Sequence, residues 1–235
     1  MPHTMPPPQP LLLTLSPLSQ STFAPYGSVL SNPNPHLTPS SAPPPPGAIS
    51  ANQGSALKYP DITPLTDLYA SAPSGKPSRA TVSMFVCAPR PLVPSTNGKA
   101  PTFPVEIMER HPFTTQSFIP LGLSASSPST RYLVIVAPSS EGEPSASAPA
   151  RLLGRNLPDL SKMQAFIARG DQGVTYAPGT WHAPMVVLGE KVGFVVAQFV
   201  NAVGEEDCQE VVWNGQGGEA VVRVVVGRGD GGSRL

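Results

Sequence analysis

The chain has 235 residues, with 15 basic and 15 acidic side chains and a formal net charge of zero. A chain without net positive charge lacks the basic surface that binds nucleic acids or anionic membranes, so we expect neither as a partner. Its apolar runs, such as Leu133–Ala137, are far shorter than the ~20 residues that cross a bilayer.

Proline divides the chain unevenly, with 23 of the 32 prolines in residues 1–104. We therefore predict a proline-rich N-terminal tail over residues 1–20, a single domain over 21–226 and a Gly-rich C-terminal tail over 227–235. Stretches without apolar periodicity predict solvated or variable loops inside the domain. These loops cover residues 31–47, 70–78, 88–104 and 139–150.

Short apolar or alternating segments separated by turn residues predict a series of β-strands. One segment differs, because Pro158–Arg169 places Leu160, Met163, Phe166 and Ile167 at helical spacing and is followed by Gly170; it predicts a helix. Many short strands with one helix favour an all-β sandwich or barrel over a parallel α/β fold. The predicted strands are Arg79–Cys87, Val105–Glu109, Gln116–Leu121, Arg131–Ala137, Gly173–Tyr176, Met185–Leu188, Val192–Val200, Gln209–Trp213 and Ala220–Val226.

Two segments after the proline-rich residues 1–104 contain His111 and His182. In the first, Glu109 and His111 alternate along an extended strand and so share a face, and the chain turns at Pro112 and returns with Gln116. In the second, a strand runs to a Pro-Gly turn that is followed by His182. A charged group and a histidine on one strand face are costly to bury without partners, which favours a polar site.

These two segments resemble the two halves of a cupin signature, which implies a jelly-roll β-barrel that brings Glu109, His111, Gln116 and His182 to one pocket. The four residues are the predicted metal ligands. A carboxylate with two imidazoles suits a divalent transition ion, whereas the neutral Gln116 amide is a weaker ligand. A metal-bound and a metal-free site both stay open, and no organic cofactor is expected.

The strings ANQGSALKY, MERHPFTTQSFIPLG and GVTYAPGTWHAP, which follow one another in this order along the chain, resemble the ureidoglycolate lyase family. The resemblance covers about residues 22–213 and implies cleavage of (S)-ureidoglycolate to glyoxylate and urea, a step of allantoin and purine degradation. Glu109, His111 and His182 would then be the catalytic acid–base groups. Two alternatives remain: a hydrolase that releases ammonia and carbon dioxide, and a non-catalytic cupin that binds a small acid.

Several further residues are candidates for substrate binding. Gln116 is one of them. Asn52 and Gln53 offer amides for the urea end, Lys58 and Arg79 offer cations for the carboxylate, and Tyr176 and Trp181 are placed to wall the pocket. Alternation along the strand sends Arg110 to the face opposite Glu109. Each has a purely structural alternative, such as a turn for Asn52 and Gln53 or the core for Trp181.

The resemblance and the need to protect edge strands both imply a homodimer. The two cysteines, Cys87 and Cys208, form no disulfide framework or C-x-x-C pair, and no basic segment precedes the N-terminal leucines as in a signal peptide. A cytoplasmic location is expected.

Overall fold

The computed structural model describes residues 2–6, 8–40, 43–94, 99–140, 157–213 and 221–227. The described strands are β1 (His3–Thr4), β2 (Leu11–Pro17), β3 (Gly27–Leu30), β4 (Ile49–Ala51), β5 (Ala56–Lys58), β6 (Arg79–Cys87), β7 (Thr102–Val105), β8 (Ile107–Arg110), β9 (Gln116–Leu121), β10 (Arg131–Ala137), β11 (Gln164–Ala168), β12 (Gly173–Tyr176), β13 (Trp181–His182), β14 (Val186–Leu188), β15 (Val192–Val200), β16 (Gln209–Val212) and β17 (Val222–Val225). The described α-helices are single turns, α1 (Gln20–Phe23) and α2 (Gly204–Asp207), and 3-10 turns cover Asn52–Gly54, Tyr69–Ser71 and Leu160–Lys162.

The strands form two main sheets, which confirms the predicted all-β, jelly-roll-like fold. The larger sheet has ten strands in the order β1-β16-β8-β13-β10-β11-β2-β17-β7, with β14 also paired to β10. The smaller sheet has five strands in the order β3-β12-β9-β15-β6. A separate hairpin pairs β4 with β5. Among the described residues, no helix is long and apolar enough to cross a membrane.

The central strand β10 is buried on both faces and separates two hydrophobic cores. Its residues Tyr132, Val134 and Val136 belong to an inner core with the aromatic side chains of the smaller sheet. The alternate residues Leu133 and Ile135 belong to an outer core on the opposite face, which also contains the two tryptophans. Strands with apolar residues on both faces give near-continuous hydrophobic runs, as this one does.

The predicted helix over Pro158–Arg169 is wrong. The Asp159 carboxylate accepts a hydrogen bond from the Ser161 amide and starts only a 3-10 turn, after which the chain extends into β11. In β11, Ala165 packs in the outer core while Phe166 and Ala168 pack in the inner core. A strand that is buried on both faces carries apolar residues at spacings that also fit one face of a helix. Periodicity alone therefore cannot distinguish such a strand from a helix.

The structure contains regular elements within the predicted N-terminal tail and within two of the predicted loops. Strand β2 lies within the predicted tail and pairs in parallel with β11 and β17, because its leucines reach the outer core. The predicted loop 88–104 includes the start of β7, and loop 70–78 begins in a 3-10 turn. Residues 141–150 of the fourth loop and residues 228–235 of the C-terminal tail lie outside the described residues.

Candidate functional site

Two antiparallel strands of the larger sheet, β8 and β13, bring a carboxylate and an imidazole together. His182 of β13 is the direct cross-strand partner of Glu109 of β8, and His182 Nε2 lies 3.4 Å from Glu109 Oε1. His111 follows β8 directly, and its carbonyl accepts a hydrogen bond of 2.9 Å from the Gly179 amide in the turn before β13. One ligand atom from each of Glu109, His111 and His182 lies within 4.8 Å of the others.

Both imidazoles of the site are held by their Nδ1 atoms. His111 Nδ1 is 2.6 Å from the Asp207 carbonyl, and His182 Nδ1 is 3.0 Å from the Thr180 carbonyl. A carbonyl oxygen only accepts, so each Nδ1 carries the proton that it donates. In the neutral form each ring therefore presents an Nε2 lone pair, and neither buried Nε2 atom has a hydrogen-bond partner.

Gln116 lies on the smaller sheet as the cross-strand partner of Tyr176, whose ring stacks on His182. Its amide nitrogen donates a hydrogen bond of 2.7 Å to Gln198 Oε1, and its own buried Oε1 has no partner. Gln198 is the cross-strand partner of Gln116 and was missed by the sequence analysis. The signal that marks it is a single amide within the otherwise apolar strand VGFVVAQFV.

The donor set of the site fits a metal ion. Ligand atoms of two imidazoles and a carboxylate lie within 4.8 Å of one another, and the buried Nε2 atoms of both histidines and the buried Oε1 of Gln116 have no hydrogen-bond partners. Buried acceptors without donors are costly, so this arrangement needs a proton or cation among them. Imidazole and carboxylate ligands together suit a divalent transition metal.

The charges of the site keep its carboxylate ionised and His111 neutral. Burial alone would raise the pKa of Glu109, but the interactions with His182 and His111 outweigh it and leave that pKa below its usual value. Burial lowers the pKa of His111, and the nearby His182 lowers it further. At neutral pH the site therefore holds a carboxylate beside an imidazole that accepts protons or metal ions through Nε2.

The aromatic residues on either side of the turn belong to different cores, with Tyr176 in the inner core and Trp181 in the outer core. The Tyr176 ring stacks on the His182 ring with a centroid distance of 3.9 Å and an interplanar angle of 10°. Trp181, expected to wall the pocket, is instead fully buried in the outer core. Arg110 lies over it, 4.6 Å from the ring centroid, which confirms that Arg110 faces away from Glu109.

The remaining predicted substrate ligands lie apart from the cluster. Asn52 and Gln53 are exposed at the tip of the β4–β5 hairpin, both with positive φ, and the exposed Lys58 ends β5. No described hydrogen bond or ion pair joins these three residues to the cluster, so their role in substrate binding stays a prediction.

Arg79 has a different position, at the start of β6. It is the cross-strand partner of Val200. Two residues further along β6, Thr81 is the partner of Gln198, which is in turn the partner of Gln116. Because side chains alternate along a strand, the exposed Arg79 shares the inner face of the smaller sheet with Gln116. It is the candidate cation that this sheet provides at the end nearest the cluster.

Comparison with known proteins assigns the chain to a family. A sequence model of the family described as ureidoglycolate lyase matches residues 10–217. The chain belongs to the ureidoglycolate lyase family. It is 35% identical to the ureidoglycolate lyase of Schizosaccharomyces pombe over 192 residues, which are 82% of this chain and 86% of the relative.

Members of the ureidoglycolate lyase family from other organisms are similar over a large part of the chain. The Saccharomyces cerevisiae ureidoglycolate lyase is 33% identical over 145 residues, covering 60% of this chain and 63% of the relative. A ureidoglycolate lyase of Burkholderia mallei is 29% identical over 186 residues, covering 78% of this chain and 80% of the relative. The family match includes β8, β9, β12 and β13, the strands that carry the cluster.

Proposed function

We propose that this protein cleaves (S)-ureidoglycolate to glyoxylate and urea, and that Glu109, His111 and His182 carry the reaction. The observation that supports this assignment most directly is the convergence of these three groups within 4.8 Å, in a chain of the ureidoglycolate lyase family. The substrate has one carbon that carries a hydroxyl, a carboxylate and a urea nitrogen. Its lysis needs a group that removes the hydroxyl proton and a group that protonates the leaving nitrogen.

The Glu109–His182 pair provides this proton transfer. His182 Nε2 accepts the hydroxyl proton, the O–H electron pair forms the new carbonyl, and the C–N bond breaks with its electron pair on nitrogen. The resulting imidazolium, stabilised by the Glu109 carboxylate 3.4 Å away, then gives its proton to that nitrogen. Protons and electrons balance without an added water molecule, so the products are glyoxylate and urea.

The smaller sheet supplies the substrate contacts. Gln116 Oε1 accepts from a urea N–H, and the Gln198 amide, hydrogen-bonded to Gln116, lies beside it. Arg79 on the same sheet face binds the substrate carboxylate, a match of planar guanidinium and carboxylate geometry. The Tyr176 ring stacked on His182 fixes the plane of the imidazole.

The same cluster is also a candidate centre for a divalent transition metal. Glu109, His111, His182 and Gln116 would hold the ion through one carboxylate oxygen, two Nε2 atoms and one amide oxygen. A bound ion would hold the substrate carboxylate and hydroxyl together and lower the pKa of that hydroxyl. Since a ligating Nε2 cannot also accept a proton, metal content decides how His182 acts.

We infer a homodimer whose interface is the outer face of the smaller sheet at β6. Val82, Met84 and Val86 lie on this face, with exposed fractions of 75, 53 and 70%. Ile119 and Leu121 of β9 extend the same apolar patch. Strand β6 is an edge strand, and soluble proteins rarely leave a long apolar edge uncovered.

We also infer a cytoplasmic location. Cys87 and Cys208 are both free thiols in the structure. Unpaired cysteines are typical of proteins in a reducing compartment.

Product analysis tests the proposed reaction. Purified protein is incubated with racemic ureidoglycolate, with and without a chelator, and glyoxylate, urea and ammonia are measured together. We expect glyoxylate and urea in equal amounts, half of the racemate consumed, and no ammonia. Ammonia in place of urea would assign the hydrolase instead, and no turnover in either arm would contradict the enzymatic assignment.

A further inference from the structure

The imidazole of His111 is held by a turn that belongs to a different part of the chain. Its Nδ1–H donates to the carbonyl of Asp207, the last residue of α2, over 2.6 Å. A helix of four residues has little stability of its own, so its position depends on what packs around it. The contacts of α2 therefore determine where the His111 acceptor lies.

The Asp207 side chain receives two hydrogen bonds that hold this turn. The Tyr69 hydroxyl donates to Asp207 Oδ1 at 2.7 Å, and the backbone N–H of Asn201 donates to the same oxygen at 2.8 Å. Tyr69 is almost fully buried, with an exposed fraction of 2%, and burial raises its pKa so that the phenol stays a donor. The Phe199 carbonyl lies farther from the hydroxyl, at 3.3 Å.

The neighbouring Glu206 fixes the other side of α2. Its buried carboxylate accepts from the Ser74 amide at 2.7 Å, from the Ser74 hydroxyl at 2.6 Å and from the Asn201 side-chain amide at 2.6 Å. A buried carboxylate is costly unless it is fully hydrogen-bonded, and charge-assisted bonds of this length are among the strongest. The two acidic residues together attach α2 to the segment 69–74.

Tyr69 and the preceding Leu68 also contact the chain just after His111. The Tyr69 ring packs on Phe113, two residues after His111, with a centroid distance of 5.7 Å. The Leu68 amide donates to the Phe113 carbonyl at 2.7 Å. Tyr69 thus links the chain that carries the imidazole with the turn that accepts its Nδ1 proton.

We propose that Tyr69 is a positioning residue of the site, which acts through Asp207 to keep His111 in the Nδ1–H tautomer with its Nε2 lone pair directed at Glu109 and His182. This inference rests on the proposed function, which makes His111 Nε2 one of the converging groups of the site and one of the candidate metal ligands. Groups that hold the second nitrogen of an active-site imidazole set its orientation and tautomer, and their loss typically costs about 10–100-fold in activity or metal affinity.

The test compares two buried tyrosines. Tyr69→Phe removes the hydroxyl that holds Asp207, whereas Tyr132→Phe removes a buried hydroxyl that donates to the Gln172 carbonyl, away from His111. We expect Tyr69→Phe to lower kcat about tenfold or more, with KM within about twofold of the parent. Tyr132→Phe should lower the melting temperature without changing kcat.

A spectroscopic readout separates this proposal from the proposed reaction. In 15N NMR spectra of metal-free, chelator-treated protein, assigned to His111 by comparison with His111→Gln, the parent should show a protonated Nδ1 and a bare Nε2. Tyr69→Phe should give a mixture of tautomers, whether or not ureidoglycolate is the substrate. Unchanged tautomer signals with unchanged kcat in Tyr69→Phe would overturn the positioning role.

A second pair of variants covers the case in which Tyr69→Phe does not fold. Asp207→Asn keeps an oxygen acceptor for Tyr69, and Asp207→Ala removes it. We expect Asp207→Asn to retain the parent His111 tautomer and most of kcat, and Asp207→Ala to lose both. Equal tautomer signals in these two variants would contradict the proposal.

Discussion

Glu109 and His182 are cross-strand partners whose Oε1 and Nε2 atoms lie 3.4 Å apart, although 72 residues separate them in the chain. The pairing is set by strand register, since sliding β13 by one residue would replace His182 with Trp181 on that face. Sheet geometry therefore fixes the relative position of Glu109 and His182, the proposed acid–base pair.

Replacing His182 tests the assigned proton transfer. His182→Ala should lower kcat by roughly 10²–10⁴-fold, the usual contribution of a general base, as measured by glyoxylate release. His36→Ala is the matched control, because His36 is exposed in the loop after β3 and should leave the rate unchanged. Equal turnover by the two variants would remove His182 from the mechanism.

Replacing Glu109 tests the metal centre. The parent should bind one divalent transition ion per chain in equilibrium dialysis, and Glu109→Gln should weaken the affinity by roughly tenfold or more because a negative ligand is lost. Glu106→Gln, three residues away and exposed, serves as the control. A parent chain that binds no ion would leave His182 as the proton acceptor and contradict the metal proposal.

A charge on the outer face of β6 tests the homodimer. Val82→Glu places a carboxylate within the apolar patch, so sedimentation velocity should show a monomer in place of a dimer. Val82 is 75% exposed, and little stability should be lost. Ser83→Glu adds the same charge to the other face of the strand and should stay dimeric; a dimer in both variants would place the interface elsewhere.

The Glu206 network predicts a specific loss of stability in acid. Burial alone would raise the pKa of Glu206, but the hydrogen bonds from Ser74 and Asn201 outweigh it and lower that pKa. A carboxyl with a lower pKa in the folded state contributes stability above its unfolded pKa of about 4.3. That contribution is lost as the pH falls through the lowered folded value.

Urea unfolding at a series of pH values measures this effect. The parent midpoint should fall as the pH drops below about 4.3, and Glu206→Gln should show a flatter profile with a lower midpoint at pH 7. Glu205→Gln, whose carboxylate receives none of these hydrogen bonds, should follow the parent. Parallel profiles for the parent and Glu206→Gln would show that the network does not stabilise the fold.

The strands could be predicted from the sequence where they alternate or form short apolar runs, as Gln116–Leu121 and Val192–Val200 do. The segment at β11 could not, because a strand buried between two cores has the apolar spacing of a helix. The N-terminal strand β2 was missed for a related reason: its leucines find their partners only in β11 and β17, more than 140 residues away.

The core of the site was predictable because Glu109 and His111 lie on one strand face and His182 follows a turn. Gln198 and Tyr69 were not, since each acts through one hydrogen bond that only the three-dimensional register creates. The tyrosine lies at the edge of a segment that the sequence marks as a loop. Its burial and its link to Asp207 depend on strands that are distant in the chain.

Strand β2 has a consequence for how this chain is made. One of its two neighbours in the sheet, β17, is synthesised much later, because Leu11 pairs with Val222. Pairing over such a sequence separation is slow, and one edge of β2 stays without its partner until β17 has been made. The larger sheet can close only after synthesis has passed Val225, so a ribosome that stalls before that point leaves a chain prone to aggregation.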